Sequence, residues 1–199
     1  MAKRYDDNFI ACIQWLLNHK FKLMQNLKEI YWLYSLIKQM DPKPKVFVEI
    51  GSLEGGSAFI LSKAMPKDSI IISIDPAKLE QRDLAFKFIK LRGQKAHQIK
   101  MKSEDPQAME SLKSLLKSYG GSIDVLFIDG SHEYKAAKFD YENYSPLVKK
   151  GLVAMHDISL GCRNHIRVHE LWAEIKQKER NCRENVNPAK IRGIGVVFK

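Results

Sequence analysis

Apolar residues recur along the chain in two rhythms, and the change from one to the other divides it. Between positions 8 and 40 the spacing is close to 3.6, with Phe9, Ile10, Ile13, Leu16 and Leu17 followed by Leu23, Leu27, Ile30, Leu33, Tyr34 and Ile37. This predicts two helices with a bend near Asn18-His19-Lys20, the second packing on a sheet beside its first strand. Trp15 and Trp32 lie in the same region. The first helix is a candidate to cover a pocket mouth or to pair with a second subunit. Beyond Pro42 and Pro44, short β-branched runs predict strands over 46–50, 69–74, 123–128, 152–155 and 194–198, with a more polar, edge-like strand over 96–101. Helical patterns over about 57–65, 79–91, 106–119, 135–148 and 165–180 separate them. Strands alternating with helices imply an α/β, Rossmann-like fold: a doubly wound, mostly parallel sheet with helices on both faces. The chain then reads as one domain over 1–199, a helical extension over 1–41 preceding a core over 42–199.

The first strand breaks directly into Gly51-Ser52-Leu53-Glu54-Gly55-Gly56-Ser57. Glycines here permit positive φ and close backbone approach, and the free N–H groups of the following helix face the turn, so the stretch predicts a nucleotide-type pocket. The residue two after Gly51 is Leu53, so the G-x-G-x-x-G turn of dinucleotide binders is absent. Asp75 ends the second strand, 24 residues beyond Gly51, where a carboxylate can accept the hydroxyls of an adenosine ribose. Glu49, Gly51 and Gly55 in this spacing resemble the first motif of the class I S-adenosylmethionine-dependent methyltransferases. That resemblance implies S-adenosylmethionine as cofactor, the Glu49 acid beside its methionine end, and Gly51, Ser52, Gly55 and Ser57 in its binding turn. Ser103, after the third strand, stands where this class contacts the adenine ring.

Ligands of such sheets bind outside the carboxyl ends of the strands. Glu49, Asp75, Asp129, His132, His156 and Asp157 all fall at or just past such ends, a density of ionisable groups that a structural rim does not require. The run from Asp124 through Asp129-Gly-Ser-His132-Glu-Tyr134, with Asp140, Ser145-Pro146-Leu147, Gly151 and His156-Asp157-Ile158, is similar to the branch holding cephalosporin-hydroxylase-like and macrolide-sugar O-methyltransferases. The Leu171-Trp172 helix and the Gly193–Phe198 end match that branch too. In its metal-dependent members an acid after the fourth strand and a pair after the fifth hold Mg²⁺. By position these are Asp129, His156 and Asp157, and His156 departs from the acidic pattern because magnesium prefers oxygen ligands. Mg²⁺, a softer divalent ion, or no metal all remain open. Asp129 is also carried over as a cofactor contact and catalytic group. His132, three residues on, has an unperturbed pKa near ~6.5, suited to a general base that removes the acceptor proton.

Composition narrows the partners. The 199 residues contain no apolar run near the ~20 of a membrane span and no signal-type core at the start, which predicts a soluble cytoplasmic protein with no membrane partner. Cys12, Cys162 and Cys182 lack metal-type spacing and read as reduced thiols. The net charge of +10 invites nucleic acid, but only eight of 33 basic residues are arginines and the lysines are dispersed, which favours a solvated surface. The leading expectation is O-methylation of a small hydroxylated molecule with divalent-metal assistance. The alternatives are an RNA or DNA methyltransferase and a non-catalytic cofactor-binding protein. Amino-base methyltransferases typically carry an Asn/Asp-Pro-Pro-aromatic turn after the fourth strand, unlike Asp129-Gly-Ser-His132. Acceptor contacts are expected from the N-terminal helices and the 159–163 loop.

Overall fold

A computed structural model describes residues 5–159, 166–186 and 192–199. Helices α1 (Asp7–Asn18) and α2 (Leu27–Gln39) precede strand β1 (Val46–Ile50). There follow α3 (Gly56–Ser62), β2 (Ile70–Ile74), α4 (Glu80–Leu91), β3 (Lys95–Ile99), α5 (Pro106–Lys117), β4 (Val125–Ile128), α6 (Tyr134–Tyr144) and β5 (Leu152–His156). The chain ends with α7 (Val168–Lys178), β6 (Cys182–Asn185) and β7 (Ile194–Phe198). The strands form one sheet in the order β3-β2-β1-β4-β5-β7-β6. The four pairings that join the five strands from β3 to β5 are parallel, while β7 runs antiparallel to both β5 and β6. The order reverses direction between β1 and β4, so their carboxyl ends open a crevice there.

β1, β2, β4 and β5 are buried on both faces because helices cover both. On one face Phe47, Phe127 and Ala154 pack with Phe9, Ile30, Phe59 and Phe86 of α1 to α4. On the other, Val48, Ile72 and Leu126 pack with Leu112, Ala137 and Trp172 of α5 to α7. Each large apolar side chain so buried contributes about 1.5–3 kcal/mol relative to exposure. The period of two along β1 puts Glu49 on the face of Phe47, toward α3.

α1 belongs to the first of these cores, burying Phe9, Cys12 and Leu16 against α3. Asp6 caps it by accepting from the Asn8 and Phe9 N–H groups and pairs with Lys38 of α2, joining the two helices. α2 packs against α3 and β7, further across the sheet than the place beside β1 that the sequence suggested. Its N-cap is Asn26, the residue after Gln25, and the helix carries Glu29 on its first turn.

Three expectations shift. β3 ends at Ile99 instead of 101, because only Ala96 and Ile99 of that run find a buried face. α6 gives way to a 3₁₀ turn at Ser145–Leu147, where Pro146 lacks the N–H that an α-helix needs. β6 had no sequence signal: Cys-Arg-Glu-Asn is polar, half-exposed and at the sheet edge. The start proposed at 165 for the last helix, most of the 159–163 loop and Cys162 lie outside the described residues. Cys12 and Cys182 are free thiols.

Candidate active site

The parallel ladder continues one residue past each central strand, and this gathers the polar groups. Gly51 N–H donates to Ile74 O at 2.9 Å, Asp129 N–H to Ile50 O at 2.9 Å, and Asp75 N–H to Ile99 O at 3.1 Å. Gly51 takes φ +82°, and a Cβ there would stand 2.1 Å from the Asp129 carbonyl oxygen. No other residue fits between β1 and β4 at this level. Gly55, at φ +84°, is the left-handed N-cap of α3.

These ends enclose a cleft of about 590 Å³. Of the residues singled out in the sequence, Gly51, Ser52, Ser57, Asp75, Ser103, Asp129, His132, His156 and Asp157 line it. Glu49 and Gly55 do not, one because its strand turns it toward α3 and the other because it packs on α4. α1 contributes no lining residue. The wall comes instead from the α1–α2 connection, through Lys22, Met24 and Gln25. Trp15 is stacked on Phe59 at 4.3 Å, and Trp32 is partly buried in the core.

At the glycine-turn end, Glu49 is 0% exposed and neither carboxyl oxygen has a hydrogen-bond partner. Burial pushes its pKa up to about 8, against the opposing pull of the neighbouring Ser57 hydroxyl. Asp75 accepts from Leu53 N–H on Oδ2 and from Ala77 N–H on Oδ1, each at 2.8 Å. Its Oδ1 also lies 2.7 Å from Nη1 of Arg82, a buried residue that sequence reading passed over. Beside Ser103, burial raises the Asp140 carboxyl to about 7, while the Ser103 hydroxyl draws it down. Tyr144 OH donates to the Ser103 carbonyl at 2.7 Å, which fixes that wall.

At the other end Asp129, His156 and Asp157 each place a ligand-type atom within 4.8 Å of the others. His156 Nδ1 lies 3.0 Å from Asp129 Oδ1 and 3.5 Å from Asp157 Oδ1, and its Nε2 lies 3.5 Å from Oε2 of Glu29 on α2. Burial favours the neutral ring, but the Asp129, Glu29 and Asp157 carboxylates around it outweigh that and raise its pKa to about 10. Gln25 Nε2 donates to the second Asp129 oxygen. Gln25 and Glu29 were not legible as site residues, since a polar residue on an amphipathic helix ordinarily faces water. Asp157 holds φ +59°, a left-handed conformation that aspartate tolerates better than most residues and that recurs at functional sites. Its Oδ2 lies 3.0 Å from His132 Nδ1, and this bond raises the histidine's pKa. His132 therefore bonds a carboxylate, not a turn carbonyl. His19, His97 and His169 lie outside the cleft.

Residues 48–158 match a family described as a methyltransferase domain. An uncharacterized protein of Acanthamoeba polyphaga mimivirus is 33% identical over 125 residues, 60% of this chain and 53% of that one, so the chain spans about half the length of this curated relative. Among solved structures, the O-methyltransferase TomG of Streptomyces achromogenes, involved in tomaymycin synthesis and in complex with S-adenosylmethionine, superposes with TM-score 0.65 at 15% identity, covering 100% of this chain and 92% of that one. An O-methyltransferase of Bacillus cereus in complex with S-adenosylhomocysteine gives 0.64 at 14% identity, covering 100% and 94%. At these identities the two structures establish a shared fold.

Proposed function

The chain belongs to the methyltransferase-domain family, and from that premise we propose that it transfers a methyl group from S-adenosylmethionine to a hydroxyl oxygen of a small molecule. The observation that carries this reading is one cleft with the glycine turn and Asp75 at one end and the His132–Asp157 pair at the other. Its volume of about 590 Å³ suits small-molecule ligands and favours a small acceptor over a polynucleotide.

The residues fit the cofactor. The unpartnered Glu49 carboxyl is a buried acid awaiting a positive group, and Gly51 lets backbone approach ligand. S-adenosylmethionine supplies an electrophilic methyl group on a sulfonium. Asp75 would accept from the ribose, Ser103 would flank the adenine, and Glu49 would balance positive charge on the methionine portion through the Ser57 wall.

His132 is the general base of this scheme. With Nδ1–H held by Asp157, the neutral ring presents Nε2 as its proton acceptor, and among the described residues Nε2 has no partner. The hydroxyl proton moves to that nitrogen as the oxygen advances on the methyl carbon, and the imidazolium formed is stabilised by Asp157. Asp129, His156 and Asp157 would hold a divalent cation, and two carboxylates with one imidazole suit borderline Zn²⁺, or Mn²⁺ as a hard ion that still accepts imidazole, better than Mg²⁺. Such an ion lowers the pKa of an acceptor hydroxyl and orients it. His156 must give up its proton to ligate, so ion binding would be coupled to pH.

Parallel calorimetry with S-adenosylmethionine and NAD tests the reading. Binding of the first alone is expected. Binding of NAD, or of neither, refutes it.

A further inference from the structure

Arg82 stands on the first turn of α4 with its side chain 1% exposed, a full charge beneath the glycine turn. Its guanidinium is shared among several segments. Nη1 lies 2.7 Å from Asp75 Oδ1 and donates to Ser52 Oγ at 3.4 Å. Nη2 donates to the carbonyls of Asp75, at 3.4 Å, and Ala77, while Nε donates to Gln98 Oε1 at 3.3 Å. The stem is fixed as well, since a Cβ on Gly55 would stand 3.3 Å from Arg82 Cγ. One planar group therefore ties the glycine turn, the carboxyl end of β2, the turn after it and the edge strand β3.

The consequence falls on Asp75. A buried guanidinium requires its counter-charge, so the carboxylate cannot rotate away. Oδ1 is occupied by Arg82 and Ala77 N–H, whereas among the described residues Oδ2 accepts only from Leu53 N–H and keeps a lone pair. We propose that Arg82 is a positioning residue that locks Asp75 with Oδ2 presented to the cleft, so that the carboxylate recognises the vicinal hydroxyls of an adenosine ribose. This rests on the S-adenosylmethionine reading given above. Lysine cannot substitute, because a point charge lacks the fork that reaches Asp75, Ser52 and two carbonyls together.

Calorimetry with S-adenosylhomocysteine and its 2′,3′-dideoxy analogue tests it, because loss of general integrity weakens both ligands alike and leaves their ratio unchanged. The wild-type protein should prefer the diol on the order of 30-fold, as charge-assisted hydrogen bonds allow. Arg82→Met and Arg82→Lys should reduce the preference to about threefold or less. Should neither variant fold, Gln98→Leu removes the Nε anchor at the half-exposed edge, and its preference should fall at least ~3-fold. A preserved ratio in whichever variant folds overturns the proposal. Equal wild-type affinity for the two ligands also overturns it while the cofactor reading stands, and absence of binding to both defeats the cofactor reading itself.

Discussion

Gly51→Ala is the sharpest test of how the site is built. At φ +82° any L-residue bears a left-handed cost of roughly 1–2 kcal/mol. The new methyl would begin 2.1 Å from the Asp129 carbonyl oxygen and 2.4 Å from the Gly130 Cα, both backbone atoms with no rotamer to yield. Separating them to normal contact means opening β1 from β4 by roughly 1 Å, an overpacking cost of about 1–3 kcal/mol more. For a chain of this size, the resulting ~2–5 kcal/mol corresponds to a fall in Tm of roughly 4–20 °C. Gly121→Ala is the control, since Gly121 also has positive φ, +75°, but nothing lies within 4 Å of its absent Cβ. It should show the left-handed cost alone. Thermal denaturation of both variants measures the difference, and calorimetry with S-adenosylhomocysteine should find binding lost only in Gly51→Ala, because Asp129 moves with its carbonyl. If the two variants melt together and bind alike, the account of a backbone junction closed around a missing side chain is wrong.

Glu49 titrates at about 8 in the folded protein against an ordinary 4.5, so the folded state binds the proton more tightly. Its stability contribution is complete below 4.5 and is lost as pH rises toward 8; at pH 9 Glu49→Gln should exceed wild type by on the order of 5 kcal/mol in chemical denaturation. The same proton should leave when cationic S-adenosylmethionine binds at pH 7, seen as a binding enthalpy that changes with the buffer's ionisation enthalpy. His132→Ala should lower methyl transfer by roughly 10²–10⁴-fold with cofactor affinity unchanged, and a loss under tenfold removes it as the base. Asp157→Asn should weaken Mn²⁺ binding, followed by electron paramagnetic resonance. Excess chelator should abolish transfer and spare cofactor binding, and undiminished transfer in chelator rules out metal assistance.

The sheet was legible because its central strands are buried on both faces and read as unbroken apolar runs. Residues 46–50 needed nothing else, and the resemblance drawn from Glu49, Gly51 and Gly55 is borne out by the family match over 48–158 and by the shared fold. β6 escaped because an edge strand lying against solvent has no reason to be apolar. The strand-end rule found Asp129, His132, His156 and Asp157, since topology alone brings such positions to one rim. Glu49, named by the same rule, and Gly55, named by the resemblance, lie behind that rim and do not line the cleft. Arg82 and Glu29 were invisible for a different reason: a buried charge is betrayed only by its partner, and Asp75 stands in a different element from Arg82 while His156 is remote in sequence from Glu29, so no periodicity links either pair.

The α1–α2 connection has a consequence for how this protein acquires its preferences. Lys22, Met24, Gln25 and Glu29 wall the cleft or touch its charged centre, yet all precede residue 48, where the family match begins. Heredity and geometry thus draw different borders around the same enzyme. The matched stretch holds the glycine turn, Asp75, His132 and His156. The preceding segment rests on it, with Asp6 and Asn26 capping the two helices that the connection joins. Grafting 20–29 from a distant member onto this sheet should move acceptor choice while leaving affinity for the methyl donor where it was.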